Sequence, residues 1–234
     1  MDRLRPNQFP RPAEAGSQKQ ARPSGMLKSM QIPSLLATAG SERTANGAQA
    51  SGLRAVVLTG FMGAGKTTLG RLLAAELGWE FRDLDTEIAQ DSGMTVADIF
   101  RAEGEAGFRA REMEMLARLL RRERMVLALG GGAVESEGVR EQLAACKDAC
   151  VVYLSAPLEA LVQRCLEQPG AAERPVLADR ERLRSRWAAR LPYYEQAHLR
   201  LETEGLSPAE SLQALIALVK QRPLPDNAPM SAHE

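Results

Sequence analysis

Short apolar runs alternate with segments of helical periodicity between about residue 51 and residue 221. The runs are rich in Val, Leu and Ala and carry few polar residues, as strands buried on both faces do. The segments between them have apolar residues three and four positions apart, which favours helices that pack on a sheet. We predict strands at 54–59, 80–84, 125–129, 150–154 and 198–202.

The same periodicity predicts helices over 66–77, 85–92, 95–103, 105–122, 136–145, 157–167, 179–196 and 207–220. Thr95 and Ser207 are good N-cap residues. Pro208 suits the first position of a helix, and Gly78 suits a helix C-terminus. Strands that alternate with helices predict an α/β fold, namely a doubly wound five-stranded parallel sheet with helices on both faces.

The two ends of the chain lack this periodicity. Residues 1–50 contain one aromatic residue, Phe9, and residues 222–234 are polar and interrupted by three prolines. Such segments bury too little apolar surface to offset the entropy lost on ordering. We therefore expect a disordered N-terminal extension over 1–50, one folded domain over 51–221 and a disordered C-terminal tail over 222–234.

The N-terminal extension is mildly basic and contains several serines, as targeting peptides do. It lacks the long apolar core of a secretory signal. The alternatives are an unstructured extension, or a start codon placed too early, with Met26 or Met30 as the true start.

Charge and composition exclude several classes of function. The net charge is zero, from 30 basic and 30 acidic residues, so a general attraction to nucleic acid or to a membrane surface is not expected. No apolar stretch approaches the ~20 residues of a membrane span. Cys146, Cys150 and Cys165 form no C-x-x-C motif, which favours reduced thiols in a cytoplasmic protein. Catalysis by histidine is not expected either, since the chain has only His198 and His233.

Residues 60–67, Gly-Phe-Met-Gly-Ala-Gly-Lys-Thr, fit the G-x-x-x-x-G-K-[ST] pattern of a phosphate-binding P-loop between a predicted strand and a predicted helix. Its backbone N–H groups and the helix N-terminus would face phosphate oxygens. Lys66 would neutralise the β- and γ-phosphates, and the Thr67 hydroxyl would bind Mg²⁺. The alternative is a chance Gly-rich turn with a surface lysine. The predicted nucleotide-binding residues here are Gly63, Ala64, Gly65, Lys66, Thr67 and Thr68.

Three further clusters follow predicted strands or lie in predicted helices. Asp83 and Asp85 end the second strand, where alternation would direct both carboxylates to the same side; alternatively, Asp85 caps the next helix. Arg109 and Glu105 would lie on one face of a predicted helix, and taken alone this pattern favours an ordinary ion pair in solvent. The glycines after the third strand, 130–132, either admit a ligand close to the backbone or form a flexible turn.

Residues 167–175 are polar, contain Pro and Gly and separate two predicted helices, so they form a candidate mobile lid. Arg174 lies in it, where a guanidinium could reach a transferring phosphoryl group. Arg164 and Arg190 flank the lid in sequence. Arginine is common in this chain, so each of the three is alternatively a surface residue.

Together these motifs resemble shikimate kinases across about residues 53–216, in the same order. The motifs are G-x-M-G-A-G-K-[ST]-T with Gly-Arg in its helix, F-x-D-x-D (81–85), I-F-x-x-x-G-E-x-x-F-R-x-x-E (99–112), G-G-G-A (130–133), R-P-x-L (174–177), R-x-P-x-Y (190–194) and the Ser-Pro pair at 207–208. Val176 stands where the family usually has Leu, and residues 1–50 have no common counterpart.

The resemblance implies a P-loop kinase with a role for each matching residue. Shikimate would be held by Asp85, Arg109, Gly130, Gly131, Gly132 and Arg190, with the two arginines clamping its carboxylate. The catalytic residues would be Lys66, Asp85 and Arg174, with Arg174 also contacting the nucleotide. Arg164 and Pro208 would flank the adenine. Mg²⁺ would be held by Thr67 and, through water, by Asp83.

The implied reaction converts ATP and shikimate into ADP and shikimate 3-phosphate, in a monomeric cytoplasmic enzyme of aromatic amino-acid (chorismate) biosynthesis. A rival hypothesis is another small-metabolite kinase, such as a gluconate kinase, which explains the P-loop but does not require the arginine clamp. A second rival is a catalytically inactive ligand-binding regulator, although Lys66, Asp85 and Arg174 are all present. A third is a partner-binding protein that acts through its N-terminal extension.

Overall fold

The computed structural model describes residues 52–167 and 179–221. In this part of the chain five parallel strands form one sheet in the order β2-β3-β1-β4-β5. The strands are β1 Ala55–Thr59, β2 Glu80–Asp83, β3 Met125–Ala128, β4 Ala149–Ser155 and β5 Leu199–Glu202. The helices are α1 Lys66–Leu77, α2 Leu84–Ser92, α3 Val96–Leu119, α4 Glu137–Ala145, α5 Leu158–Leu166, α6 Arg180–Tyr194 and α7 Pro208–Gln221, with a short 3-10 helix at Ala133–Glu135.

Helices cover both faces of the sheet, because side chains alternate along each buried strand. Val56 and Leu58 of β1 belong to one apolar cluster, which includes residues of α1, α5, α6 and α7. Ala55 and Val57 belong to a second cluster, which includes residues of α2, α3 and α4. The predicted doubly wound α/β fold is confirmed.

Most predicted element ends agree with the structure to within one or two residues. Thr95 caps α3 by accepting a hydrogen bond from the Asp98 backbone N–H at 3.1 Å. The predicted break between two helices falls at Gly104, whose φ of +70° interrupts α3. A left-handed conformation of this kind favours glycine, which has no Cβ. The 3-10 helix after the three glycines was not predicted.

The sheet register brings three strand ends together. Ala128 of β3 pairs with Leu58 of β1 on one side and with Asp83 of β2 on the other. The loops that follow these strands therefore leave the sheet at the same edge, where ligands of open α/β sheets bind. The predicted extension over 1–50, the predicted tail over 222–234 and Arg174 of the predicted lid lie outside the described residues.

Candidate active site

The P-loop joins β1 to α1 and lies close to the neighbouring backbone. A Cβ on Gly60 would lie 2.7 Å from the Leu154 carbonyl oxygen, and one on Gly63 would lie 2.3 Å from the Leu161 carbonyl oxygen. Gly65 has a φ of +88° and immediately precedes α1. The loop therefore requires glycine at these positions, both for space and for conformation.

Lys66 lies half-buried at the start of α1. Its Nζ donates hydrogen bonds to the carbonyl oxygens of Gly60 at 2.8 Å and Phe61 at 3.0 Å. Burial lowers the pKa of the ammonium group to about 8, against the opposing effect of the Asp85 and Asp83 carboxylates. An incompletely solvated cation at a helix N-terminus is well suited to bind phosphate.

Asp83 links β2 to the P-loop helix. Its Oδ2 accepts a hydrogen bond from the Thr67 hydroxyl at 3.1 Å, and its Oδ1 accepts one from the Thr86 backbone N–H at 3.3 Å. Asp83 is therefore the N-cap of α2, which begins at Leu84. The expectation of an extended segment through Asp85 was wrong, as was the alternative that Asp85 caps the helix. The helix begins earlier because Asp83 supplies the capping oxygen.

Asp85 lies in the first turn of α2, against the glycines that follow β3. A Cβ on Gly130 would lie 2.6 Å from Asp85 Oδ1, so only glycine leaves room for this carboxylate. Burial and the charge of Asp83 raise the pKa of Asp85, and the charges of Lys66 and Arg109 act in the opposite direction. A raised pKa makes this carboxylate a better proton acceptor than an exposed aspartate.

Two arginines from different helices meet at Gly132. A Cβ on Gly132 would lie 2.8 Å from Arg109 Nη2 and 3.1 Å from Arg190 Nη2. Their side chains are 18% and 15% exposed. We call this pair the arginine clamp. Both guanidinium groups contact Glu135 Oε2, Arg190 at 2.9 Å and Arg109 at 3.4 Å.

A buried glutamate positions Arg109. Glu112 is fully buried, and its Oε2 accepts a hydrogen bond from Arg109 Nη1 at 2.7 Å. The ion pair with Glu105 considered from the sequence is also present, at 3.4 Å, but Glu105 is 71% exposed. Sequence reasoning missed the role of Glu112, although its position three residues after Arg109 in a predicted helix could have indicated it. It also missed Glu135, for which no local signal exists.

Arg190 lies against the P-loop, and the end of its helix is hydrogen-bonded to the glycines after β3. Its guanidinium lies 5.8 Å from the centroid of the Phe61 ring. The neighbouring Tyr194 hydroxyl donates a hydrogen bond to the Gly131 carbonyl oxygen at 2.5 Å, which ties the end of α6 to the glycines. The Nε of Arg190 is buried and has no hydrogen-bond partner among the described residues. Guanidinium groups bind carboxylates well, often through two parallel hydrogen bonds, so the clamp is suited to a carboxylate.

Arg164 lies apart from the clamp. Its guanidinium donates to the Thr203 hydroxyl at 2.9 Å and to the Thr203 carbonyl oxygen at 2.5 Å. Thr203 precedes the segment that leads to Pro208, the first residue of α7. The two residues expected to flank the adenine are thus connected through one loop.

We expect Gly132→Ala to weaken binding of a carboxylate ligand while leaving the fold intact. The backbone at Gly132 has a φ of −101°, which alanine adopts readily, but its Cβ would displace both clamp guanidinium groups. Overpacking of this kind costs about 1–3 kcal/mol. Calorimetric titration of the two ligands that the sequence resemblance implies, shikimate and ATP, with a melting curve, checks this. Equal losses of both affinities would contradict it.

Comparison with known proteins agrees with this geometry. The shikimate kinase family model matches residues 62–220, more than half of the chain. Shikimate kinase of Persephonella marina is 37% identical over 170 residues, covering 72% of this chain and all of that protein. Shikimate kinase of Symbiobacterium thermophilum is 44% identical over 171 residues, covering 71% of this chain and 94% of that protein.

Solved structures give the same result. The shikimate kinase of Acinetobacter baumannii in complex with shikimate is 40% identical, with a TM-score of 0.64, and the match covers 72% of this chain and 93% of that one. The shikimate kinase of Bacteroides thetaiotaomicron is 32% identical, with a TM-score of 0.65 and coverages of 71% and 98%. With the P-loop, Asp85, the glycines and the arginine clamp at one edge of a parallel sheet, this chain belongs to the shikimate kinase family.

Proposed function

We propose that this protein transfers the γ-phosphoryl group of ATP to the 3-hydroxyl of shikimate, a step of aromatic amino-acid biosynthesis. The observation that carries the proposal is the position of the arginine clamp beside the P-loop. A Cβ on Gly131 would lie 3.7 Å from the Gly60 carbonyl oxygen and 3.9 Å from Arg190 Nη1. One end of the site thus suits phosphate and the other suits a carboxylate, with Asp85 against the neighbouring Gly130.

Lys66 and the P-loop would bind the β- and γ-phosphates. Gly63, Ala64 and Gly65 directly precede α1, and their backbone N–H groups would face the phosphate oxygens. The N-terminus of α1 adds a partial positive charge. Lys66 would compensate the charge that shifts to the leaving oxygen during transfer. Thr68 would contact phosphate one residue further along the helix, and Arg164 and Pro208 would flank the adenine.

Asp85 would orient the attacking hydroxyl of shikimate. It would accept a hydrogen bond from the ring hydroxyls and receive the proton as the oxygen forms its bond to phosphorus. The bond between phosphorus and the bridging oxygen then breaks, and the electron pair leaves with ADP. Since phosphoryl transfer depends chiefly on positioning and charge stabilisation, the arginine clamp contributes by fixing the ring.

Mg²⁺ fits the Thr67–Asp83 pair. Their contact offers one hydroxyl and one carboxylate oxygen, the hard ligands that Mg²⁺ prefers. Within residues 52–167 and 179–221 no cluster of three or more His, Cys, Asp or Glu could hold a metal, and Mg²⁺ in kinases needs few protein ligands because phosphates and water supply the others. Thr67 and, through water, Asp83 would hold the ion, which would neutralise part of the phosphate charge.

The proposal extends to the cellular setting of the enzyme. We propose a monomeric cytoplasmic enzyme, a hypothesis supported by three cysteines that form no disulfide. Among the described helices, none has the length and apolar character to cross a membrane. Gel filtration of the purified protein measures its oligomeric state.

A coupled assay of ADP release tests the proposed function. Shikimate, gluconate and a nucleoside monophosphate are supplied in turn with ATP and Mg²⁺. We expect turnover with shikimate only, since the clamp and Asp85 match an acid that carries ring hydroxyls. Turnover with gluconate in place of shikimate would favour the rival kinase, and the absence of turnover with all three would favour a binding protein.

Arg174→Lys should lower turnover much more than it lowers shikimate affinity. In the proposed mechanism Arg174 reaches the β- and γ-phosphates from the lid when both substrates are bound. Lysine keeps the charge but lacks the planar fork that contacts several oxygens at once. The check is steady-state turnover beside equilibrium titration of shikimate without nucleotide. Unchanged turnover would make Arg174 an ordinary surface residue.

A further inference from the structure

Glu135 places a carboxylate inside the arginine clamp. It is the last residue of the 3-10 helix, and its backbone N–H donates to the Gly132 carbonyl oxygen at 3.0 Å. Its Oε2 lies 2.9 Å from Arg190 Nη2 and 3.4 Å from Arg109 Nη2. A Cβ on Gly132 would lie 3.0 Å from the same oxygen. The carboxylate thus lies where the two guanidinium groups converge.

The two arginines do not depend equally on Glu135. Arg109 has a second, closer partner in Glu112, whose side chain is 1% exposed. Among the described residues, the ion-pair partner of Arg190 is Glu135. Glu135 therefore neutralises the positive charge that would otherwise be available to an incoming anion.

The side chain of Glu135 can leave while its backbone stays in place. Arg140 Nη1 donates to the carbonyl oxygens of Val134 at 2.7 Å and Glu135 at 3.0 Å, which anchors the 3-10 helix. The Glu135 side chain is 36% exposed, so part of it already contacts solvent. An arriving ligand can replace it without a change of fold.

We propose that Glu135 is an internal competitor that sets the affinity of the clamp for carboxylates, because it occupies the clamp until the carboxylate of the substrate replaces it. The inference rests on the proposed function. A tethered carboxylate acts at a high effective concentration and lowers the affinity of every anion for the clamp. Small anions with no other contact, and shikimate itself, then bind more weakly than they would to an unoccupied clamp. Shikimate still binds, because its ring hydroxyls gain further contacts at Asp85.

Glu135→Gln removes the competing charge and tests the proposal. Calorimetry without nucleotide gives the dissociation constant of shikimate, and competition against shikimate gives the inhibition constant of acetate. We expect both constants to fall by about two- to fivefold, the scale of a partly exposed ion pair.

Glu137→Gln is the matched control, since Glu137 is exposed and lies two residues further along, at the start of α4. It should change neither constant.

Unchanged constants in Glu135→Gln would overturn the proposal. Weaker shikimate binding would also overturn it and would make Glu135 a residue that positions the arginines. If the unsubstituted protein neither binds nor phosphorylates shikimate, the proposed function fails and this inference fails with it. If the unsubstituted protein is active but Glu135→Gln changes neither constant, the inference alone fails.

Discussion

Lys66→Ala should lose phosphoryl transfer, with turnover reduced by about 10²–10³-fold or more. Lys66 is the first residue of α1, and its ammonium group donates to the Gly60 carbonyl oxygen of the P-loop. In the proposed reaction, negative charge shifts beside this cation from the γ-phosphate to the leaving oxygen. Alanine removes that cation without filling the site. The measurement is steady-state turnover at saturating ATP and shikimate, beside a melting curve.

The melting temperature should stay close to that of the unsubstituted protein. Burial disfavours the charged form of Lys66, as its lowered pKa indicates, so alanine removes a desolvation cost together with the two hydrogen bonds of the ammonium group. Lys220→Ala, at an exposed position in the last turn of α7, is the control and should keep full turnover. Near-normal turnover in a folded Lys66→Ala protein would contradict the assignment of Lys66.

Arg190→Ala should weaken shikimate binding by about 2–5 kcal/mol and ATP binding far less. The Arg190 side chain is 15% exposed, and its guanidinium lies against Gly132 and Phe61. In the alanine variant, the carboxylate of the ligand would still be removed from water but would have no ion-pair partner at this position. Calorimetric titration of each ligand separates the two effects. Arg184→Ala on the same helix is the control, because Arg184 is 68% exposed and its ion pair with Glu159 lies in solvent.

Arg109→Ala should reduce shikimate affinity as well but should also destabilise the fold. The substitution leaves the carboxylate of Glu112 buried without its ion-pair partner. Breaking a buried pair from one side costs about 3–5 kcal/mol. A lower melting temperature for Arg109→Ala than for Arg190→Ala is therefore expected. Equal melting temperatures would indicate that Glu112 finds another partner or becomes protonated at little cost.

The fold was predictable because its signals are local. Apolar runs and helical periodicity located the five strands and the helices between them, and Thr95 and Gly104 marked helix ends. The boundary of α2 was mispredicted by one residue. The capping oxygen came from Asp83, and only the structure shows that this side chain turns back to Thr86 while also contacting Thr67.

The chemical residues of the site were predictable for a different reason. The P-loop, Asp85, Arg109, the three glycines and Arg190 fall in short motifs whose order resembles a known family, and the family is confirmed. Their individual roles remain predictions for the experiments above. Glu135 stayed hidden, because a single exposed glutamate after a glycine run carries no signal of its own.

The sequence by itself determined the elements, their order and the chemistry available, because helix and strand propensity and the P-loop pattern act over a few neighbouring residues. The tertiary structure alone decided which of these groups meet. Arg109 and Arg190 are far apart in sequence and lie on α3 and α6, yet both reach Gly132. Glu135 lies between them because the sheet register brings the loop after β3 to the edge where β1 and β2 end. Contacts of this kind depend on packing between distant segments, which no local pattern encodes.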